Sequence, residues 1–387
     1  MKKLVALISF LAFCSLANAQ YHYPDASNPE MLMHSDRHEA CRTEIILPNV
    51  NDHMVLKADL HNHTAYSDGQ VLPNYRVREA WLDGLDVIAA TDHIEYRPND
   101  AVFYEYLKGY TNTPYVKTLD ALKSGDTTID LNFVVRQYEK EAPKYGILII
   151  PGSEITRNGT TVGHFNALFT TDNNLIYDVD PVKAIRNAKA QGALVMHNHP
   201  GWRKSSIDFT DAEKQAYEEG LIDGVEVMNG IEFYPGIIDR VEEYGLFISA
   251  NTDVHGSTAN DYRLSGHMRP MTLILAKERT LESIREALEA KRTIAWGFDN
   301  LCGNEQLLKD FFMASIKVST LPNGSIQLTN MTSIPYIIKQ DGKNHVRLEK
   351  FASIILNAEK ETGILRFTLL NVWTGKDSHL NIEIPTI

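Results

Sequence analysis

Between residues 56 and 296 the chain alternates short, largely apolar runs with longer runs whose apolar positions recur every three or four residues. The apolar runs at 85–90, 193–196, 224–228, 246–250 and 271–276 have the length and flanking turn residues of buried strands. The amphipathic runs at 74–82, 182–190, 235–244 and 280–290 predict helices. Asp180-Pro181 offers a capping carboxylate with proline at the first helical position. Thr210-Asp211-Ala212-Glu213 has the form of a capping box opening a further helix. Strand and helix in alternation imply an α/β fold with a mainly parallel sheet.

From residue 307 the texture changes. Short alternating runs at 315–320, 326–332, 336–339, 346–351, 353–356, 365–371 and 380–384 are separated by turn residues such as Asn323-Gly324 and Asp341-Gly342. They predict a small antiparallel β-sandwich over 307–387. Residues 97–143 interrupt the earlier pattern with a polar, tyrosine-rich stretch. It fits helices inserted over a site entrance or a plain surface excursion.

The N-terminus has the form of a signal peptide. Lys2-Lys3 precede an apolar run at 4–16, and Ala17-Asn18-Ala19 is a small-residue cleavage site. The apolar run is short for an anchor helix, and Phe13 before Cys14 argues against a lipoprotein. The expected organisation is a signal at 1–19, a lead-in at 20–55, a barrel at 56–306 and the sandwich at 307–387. The mature chain is expected in the periplasm or outside the cell, with no membrane insertion after cleavage. Cys41 and Cys302 lack metal-type spacing, and an oxidising compartment would allow them to pair. A net charge of −12 without a basic run argues against non-specific nucleic-acid binding.

Histidine and carboxylate cluster within the first region. Asp59-Leu60-His61-Asn62-His63-Thr64 is followed by Ser67-Asp68-Gly69, then Thr91-Asp92-His93, Glu154, His164, His197-Asn198-His199-Pro200 and Asp253-Val254-His255. Imidazole and carboxylate are the side chains that hold divalent transition metals at neutral pH. Residues two apart on a strand share a face, so His61/His63, His197/His199 and Asp253/His255 could each reach one ion. A single such pair is weak evidence, and a lone buried histidine is more often a hydrogen-bonded core residue. Most of these candidates follow a predicted strand, at the end where barrel enzymes carry their sites. An open doubly wound sheet would concentrate them near one switch point. Ligands from several strand ends therefore favour a closed, barrel-like arrangement.

These motifs and their order resemble the polymerase and histidinol phosphatase (PHP) family over residues 56–296, the inserted stretch aside. The resemblance implies a distorted seven-stranded (β/α)7 TIM-like barrel, two or three divalent ions (zinc, manganese or iron) and hydrolysis of a small phosphorylated substrate. It implies His61, His63, Glu154 and Asp253 around one ion. Glu154, His164 and His199 would surround a second, with Glu154 bridging, and Asp68, His93 and His255 a third. The nucleophile would be a metal-bound water that loses its proton near neutral pH.

Around these ligands, Asp59 and Asp92 are expected to orient their neighbours. His197 is expected behind the ligands or facing substrate, and His267 is a candidate proton donor to the leaving group. Arg203, Lys204, Arg157 and Arg263 are candidate phosphate-binding cations, although a cation in such a place is more often an ordinary surface charge. Two other readings remain. An amidohydrolase-type metallohydrolase would normally bring a carboxylated lysine at a strand end, and no lysine stands in such a place. A non-catalytic binding protein would work through its C-terminal region.

Overall fold

The structure is a computed structural model that describes residues 29–30, 41–99, 115–116, 128–157, 161–359 and 362–385. The expected signal peptide, Cys14, His22, His34, His38 and much of the 97–143 stretch lie outside the described residues. Within them, no helix is long and apolar enough to cross a membrane.

Two sheets carry the first region. In one, β1 (Met54–Asp59) runs parallel to β2 (Val87–Ala89), which runs parallel to β3 (Leu148–Ile150). In the other, β4 (Gly152–Thr156), β5 (His164–Leu168), β6 (Leu194–Asn198), β7 (Gly224–Asn229) and β8 (Phe247–Asn251) lie in sequence order. The first sheet continues on the far side of β1 through β9 (Met271–Ala276), β10 (Thr293–Gly297) and β11 (Asn300–Gly303). The fold is α/β, but the expected mainly parallel sheet is corrected to a mixed one. β4 and β5 form an antiparallel hairpin, β5 pairs antiparallel with β6, and β9 lies antiparallel between β1 and β10. Helices join only some of the strands, so direct returns reverse the chain direction elsewhere.

Helices cover the outer faces at the predicted places. α1 (Pro73–Leu82) begins on a proline. α2 (Phe133–Glu141) follows the incompletely described stretch. α3 (Pro181–Ala190) is capped by the Asp180 carboxylate, which accepts from the amides of Val182 and Lys183. α4 (Asp211–Glu218) opens with the complete Thr210/Glu213 capping box. α5 (Gly236–Tyr244) and α6 (Leu281–Glu289) complete this set.

The two sheets meet without a continuous hydrogen-bonded ladder. At one junction, between β3 and β4, the chain turns at Pro151. At the other, the backbone N–H of Ile248 donates to the Thr293 hydroxyl and that of Ala250 donates to the Thr272 hydroxyl, each at 3.1 Å. Threonine side chains thus satisfy β8 where a neighbouring backbone would in a closed barrel.

Beyond β11, α7 (Glu305–Ser315) leads into an antiparallel three-stranded sheet of β12 (Ile316–Thr320), β13 (Ile326–Asn330) and β16 (Ser353–Leu356). β14 (Tyr336–Lys339), β15 (Val346–Leu348), β17 (Ile364–Gly375) and β18 (Ser378–Pro385) instead extend the first sheet. The join is a parallel pairing of Leu301 with Val372 and Cys302 with Trp373. Phe311, Phe312, Tyr336, Phe367, Leu328 and Leu365 belong to one apolar cluster that also includes Leu273 and Ile294 of the first region. Cys302 is buried in this wall and carries no disulfide.

Candidate metal centre

The strands end together, and their last residues turn inward. His61 and His63 follow β1, His93 follows β2, Glu154 lies within β4 and His164 opens β5. His199 follows β6, and Asp253 and His255 follow β8. Isolated bridges join Asn62 to Val254 and His93 to Glu154, tying the loops to one another. His199 and Asp253 both adopt left-handed backbone, at φ 26° and 52°. Non-glycine residues rarely do so, and such strain concentrates at functional sites.

All nine predicted ligand positions converge on this mouth. Ligand atoms of His63, Asp68, His93 and His255 lie within 4.8 Å of one another, as do those of His61, His63 and Glu154. The same holds for Glu154, His164 and His199, and for His61, His199 and Asp253. Glu154 is central: its oxygens lie 2.6 Å from His93 Nδ1, 3.2 Å from His164 Nδ1, 3.5 Å from His61 Nε2 and 3.6 Å from His63 Nε2. Asp253 Oδ1 stands 2.9 Å from His63 Nε2 and 3.2 Å from His61 Nε2. Asp68 reaches His255 Nε2 at 3.1 Å and His93 Nε2 at 3.4 Å.

This set fits divalent cations on its own chemistry. The Nε2 atoms of His61 and His63 face each other at 3.1 Å. Among the described residues, His63 Nδ1 and Asn198 Oδ1 are buried without a hydrogen-bond partner. Imidazole nitrogens and carboxylate oxygens packed this densely, with unpartnered buried polar atoms beside them, are the arrangement a cation stabilises and a dry protein core does not.

Hydrogen bonds behind the rings select which nitrogen faces the centre. Glu226 Oε1 accepts from His61 Nδ1 at 2.9 Å, leaving Nε2 inward. The Asp253 carbonyl accepts from His255 Nδ1 at 2.7 Å, and the Arg157 carbonyl from His164 Nε2 at 2.7 Å. His164 therefore turns Nδ1, and His255 turns Nε2, toward the carboxylates.

The electrostatics follow from that packing. Burial pushes His61 down, but Asp253, Glu226 and Glu154 outweigh it and hold its pKa well above the ordinary value. His93 is raised to about 10 against burial by Glu154 and Asp68. His63 is lowered to about 4 by burial and by its neighbours His93 and His255. Burial opposes ionisation of Glu154, yet His93, His61 and His164 hold it well below the carboxylate range. Cation binding must displace protons from the raised imidazoles, so affinity falls as the medium becomes acidic.

The remaining candidates divide. Asp59 accepts from the backbone amides of His61 and Thr252, each at 3.2 Å, and pairs with buried Arg269, fixing backbone rather than imidazole. Asp92 accepts from the Thr64 amide, the Thr64 hydroxyl and the Ser67 hydroxyl at 2.9, 2.8 and 2.7 Å, bracing the turn that carries Asp68. Gly69 closes that turn so tightly that a Cβ there would overlap the Thr64 backbone. His197 does not join the centre. It contacts Tyr217 at 3.0 Å and Glu213 at 3.1 Å, because β6 ends at Asn198 and the left-handed His199 breaks the expected shared face.

Lys204 is spent on Glu213 at 2.9 Å, and Arg157 is paired with Glu95. Arg203 is exposed and lies over the Trp202 ring at 4.3 Å. Arg263 is exposed on a short helical turn. His267, also exposed, packs 5.4 Å from the Phe298 ring.

Four contributors went unrecognised in the sequence. Glu226 orients His61 and accepts from the His199 amide at 2.7 Å. Its signal was an acid within the apolar run Gly224-Val225-Glu226-Val227-Met228. Asn198 donates to Glu154 at 2.9 Å, and Asn251 donates to Glu226 at 3.0 Å. Buried Arg76, on α1, donates to the carbonyls of His63, Val254 and Gly256, binding two ligand loops together. Its place on an amphipathic helix gave no sign of this role.

The PHP domain family matches residues 59–303. A crystal structure of a two-domain protein from Bacteroides vulgatus, described as containing a predicted PHP-like metal-dependent phosphoesterase, is 32% identical. Its TM-score is 0.77, and the likeness covers 89% of this chain and 98% of that one. A lesion-specific endonuclease from Pyrococcus furiosus is 17% identical over 65% of this chain and 59% of its own, with a TM-score of 0.39. A candidate metal-dependent phosphoesterase from Bifidobacterium adolescentis is 14% identical over 51% and 87%, with a TM-score of 0.35. Both scores are too low to weigh. No curated protein matches the sequence. The chain belongs to the PHP family. It is accordingly a hydrolase of the metal-dependent phosphoesterase class.

Proposed function

We propose that the protein is an exported phosphoesterase that hydrolyses small phosphomonoesters or phosphodiesters at a centre of two or three divalent ions. The observation that carries this reading is the convergence of nine ligand side chains in four overlapping sets. His61, His63, Glu154 and Asp253 would hold one ion. Glu154, His164 and His199 would hold a second, and Asp68, His93 and His255, with His63 beside them, a third. Zinc, manganese and iron all suit this donor set.

When bound, such ions supply Lewis acidity and activate water. The chain's own groups do the rest. Glu226, the Asp253 carbonyl and the Arg157 carbonyl keep the His61, His255 and His164 rings turned inward. Arg76 holds the loops bearing His63 and His255 at one spacing. Arg203 is the candidate cation best free to meet a phosphate, since Arg157 and Lys204 are already paired. Arg263 would be an outer cation, and His267 a more remote proton donor.

In this reading the two sheets form one barrel wall, interrupted where threonine hydroxyls replace a ladder, and residues 307–387 make a C-terminal sandwich, one of whose layers continues the first sheet. The signal-like N-terminus supports a periplasmic or secreted location. The acidic chain supports a small-molecule substrate rather than nucleic acid. The test is a panel of phosphorylated metabolites, amides and lactones offered to protein reconstituted with each metal. Metal-dependent phosphate release supports the proposal; cleavage confined to amides or lactones would replace it with an amidohydrolase.

A further inference from the structure

We propose that Trp202 selects substrates whose ester substituent is planar and aromatic, by stacking that substituent beside the reacting phosphate. This rests on the phosphoesterase reading above and narrows it to a substrate class.

The Trp202 ring centroid lies 5.2 Å from those of both His164 and His199. These two residues and Glu154 form one candidate ion set. A phosphoryl group held by that set therefore has the indole next to it, and the ester substituent leaves across or along the ring. Trp202 is only partly buried. Among the described residues neither its indole N–H nor the Arg203 guanidinium has a hydrogen-bond partner. Arg203 lies over the indole, so together they present a flat layered surface with a positive charge at its edge. An aryl phosphate matches both parts, its anion meeting the cation and its ring extending the stack.

The surface is held in place. The Trp202 amide donates to the His199 carbonyl at 2.9 Å, and the Lys204 amide to the Gly201 carbonyl at 3.0 Å. Lys204 Nζ is fastened to the buried Glu213 carboxylate at 2.9 Å, and Arg203 takes left-handed backbone at φ 55°. Gly201 packs so closely on Tyr234 that any Cβ would overlap the ring. A turn fixed at four points reduces the entropic cost of presenting Trp202 on binding. A second exposed ring, Tyr96, lies 5.7 Å from His93 on the neighbouring ion set.

The test compares kcat/KM for phenyl phosphate and cyclohexyl phosphate, which match in size but differ in planarity. Metal-loaded wild type, Trp202→Ala and Trp202→Phe are measured, with metal content and thermal unfolding recorded for each. The phenyl-to-cyclohexyl ratio is compared between proteins, which cancels the intrinsic reactivity of the two esters. The ratio is expected to fall about tenfold in Trp202→Ala, mostly through KM, and to stay within about threefold of wild type in Trp202→Phe. A ratio unchanged in Trp202→Ala, or an equal loss on both esters, overturns the proposal. Should Trp202→Ala not fold, binding of phenylphosphonate to the wild type must quench fluorescence that Trp202→Phe lacks; absence of that difference overturns it equally. Wild type that hydrolyses neither ester yet acts on other phosphoesters of the metabolite panel also overturns the proposal, whereas wild type inactive on every phosphoester in any metal overturns the phosphoesterase reading, a failure distinguishable because it appears before any substitution.

Discussion

The ligand mouth and the C-terminal sheets are equally buried at their centres and are held for opposite reasons. His61, His63 and Glu154 are as inaccessible as Phe311, Leu365 and Tyr336. In the C-terminal region the burial is apolar, so removal from water is itself the stabilisation, at about 25 cal/mol per Å². In the mouth the buried groups are charged or strongly polar, and desolvating them opposes folding. The mouth persists because its members offset one another and, by our account, because cations complete it. Substitutions in the mouth should therefore change chemistry with little loss of fold, and substitutions in the C-terminal core should do the reverse.

The sharpest separation is expected from Glu154→Gln, which keeps the shape and removes the central charge. Phosphatase activity should fall by about a thousandfold, as when preorganised charge stabilisation is lost. Unfolding of the metal-free variant by denaturant should stay cooperative, its midpoint lowered only by the lost pairing of Glu154 with His61, His93 and His164. A large destabilisation would make the mouth a structural core after all. The mirror experiment is Phe312→Ala, which empties a fully buried ring position between Tyr336 and Phe367. It should destabilise by about 3–5 kcal/mol, while kcat/KM per folded, metal-loaded molecule stays within about twofold.

Glu226→Gln probes the support behind the ligands. Metal affinity, read by competition with a chelating dye, should weaken by about 10–100-fold, with a smaller effect on thermal stability. The mildest effect concerns pH. Burial opposes ionisation of Glu213, but His197 and Lys204 hold its pKa down to about 2, below the usual 4.5. The unfolded chain therefore takes up that proton first. The stabilisation is present above pH 4.5 and disappears on acidification toward pH 2, at no more than about 1.4 kcal/mol per pH unit. Glu213→Gln should flatten that part of the stability profile, measured by denaturant titration at each pH.

The same contrast explains what could be foreseen. Helix ends were legible because capping is local chemistry: Asp180 and Thr210 act on amides two or three residues away. The ligands were legible because several imidazole and carboxylate clusters stand together in an order that resembles the PHP family, and even His164, in plain surroundings, takes its place beside Glu154. Pairing direction was not, since a hairpin such as β4–β5 is set by which strand is nearest rather than by its own composition. The shared face expected of His197 and His199 failed for a related reason, because strand alternation stops where the strand stops, and only the left-handed His199 reveals that β6 ends at Asn198. Glu226 and Arg76 lie inside regular elements, where a charged residue usually faces solvent. What turns them inward is the neighbouring ring or carbonyl, which belongs to another part of the chain.

The most direct test of the central claim is a metal titration of chelator-stripped protein, followed by elemental analysis and phosphate release in parallel. The account predicts that at least two equivalents of zinc, manganese or iron bind per chain, that hydrolysis appears with them, and that His63→Ala loses both. Stripped protein that cleaves phosphoesters at the full rate, or a chain that retains less than one ion while active, would contradict it.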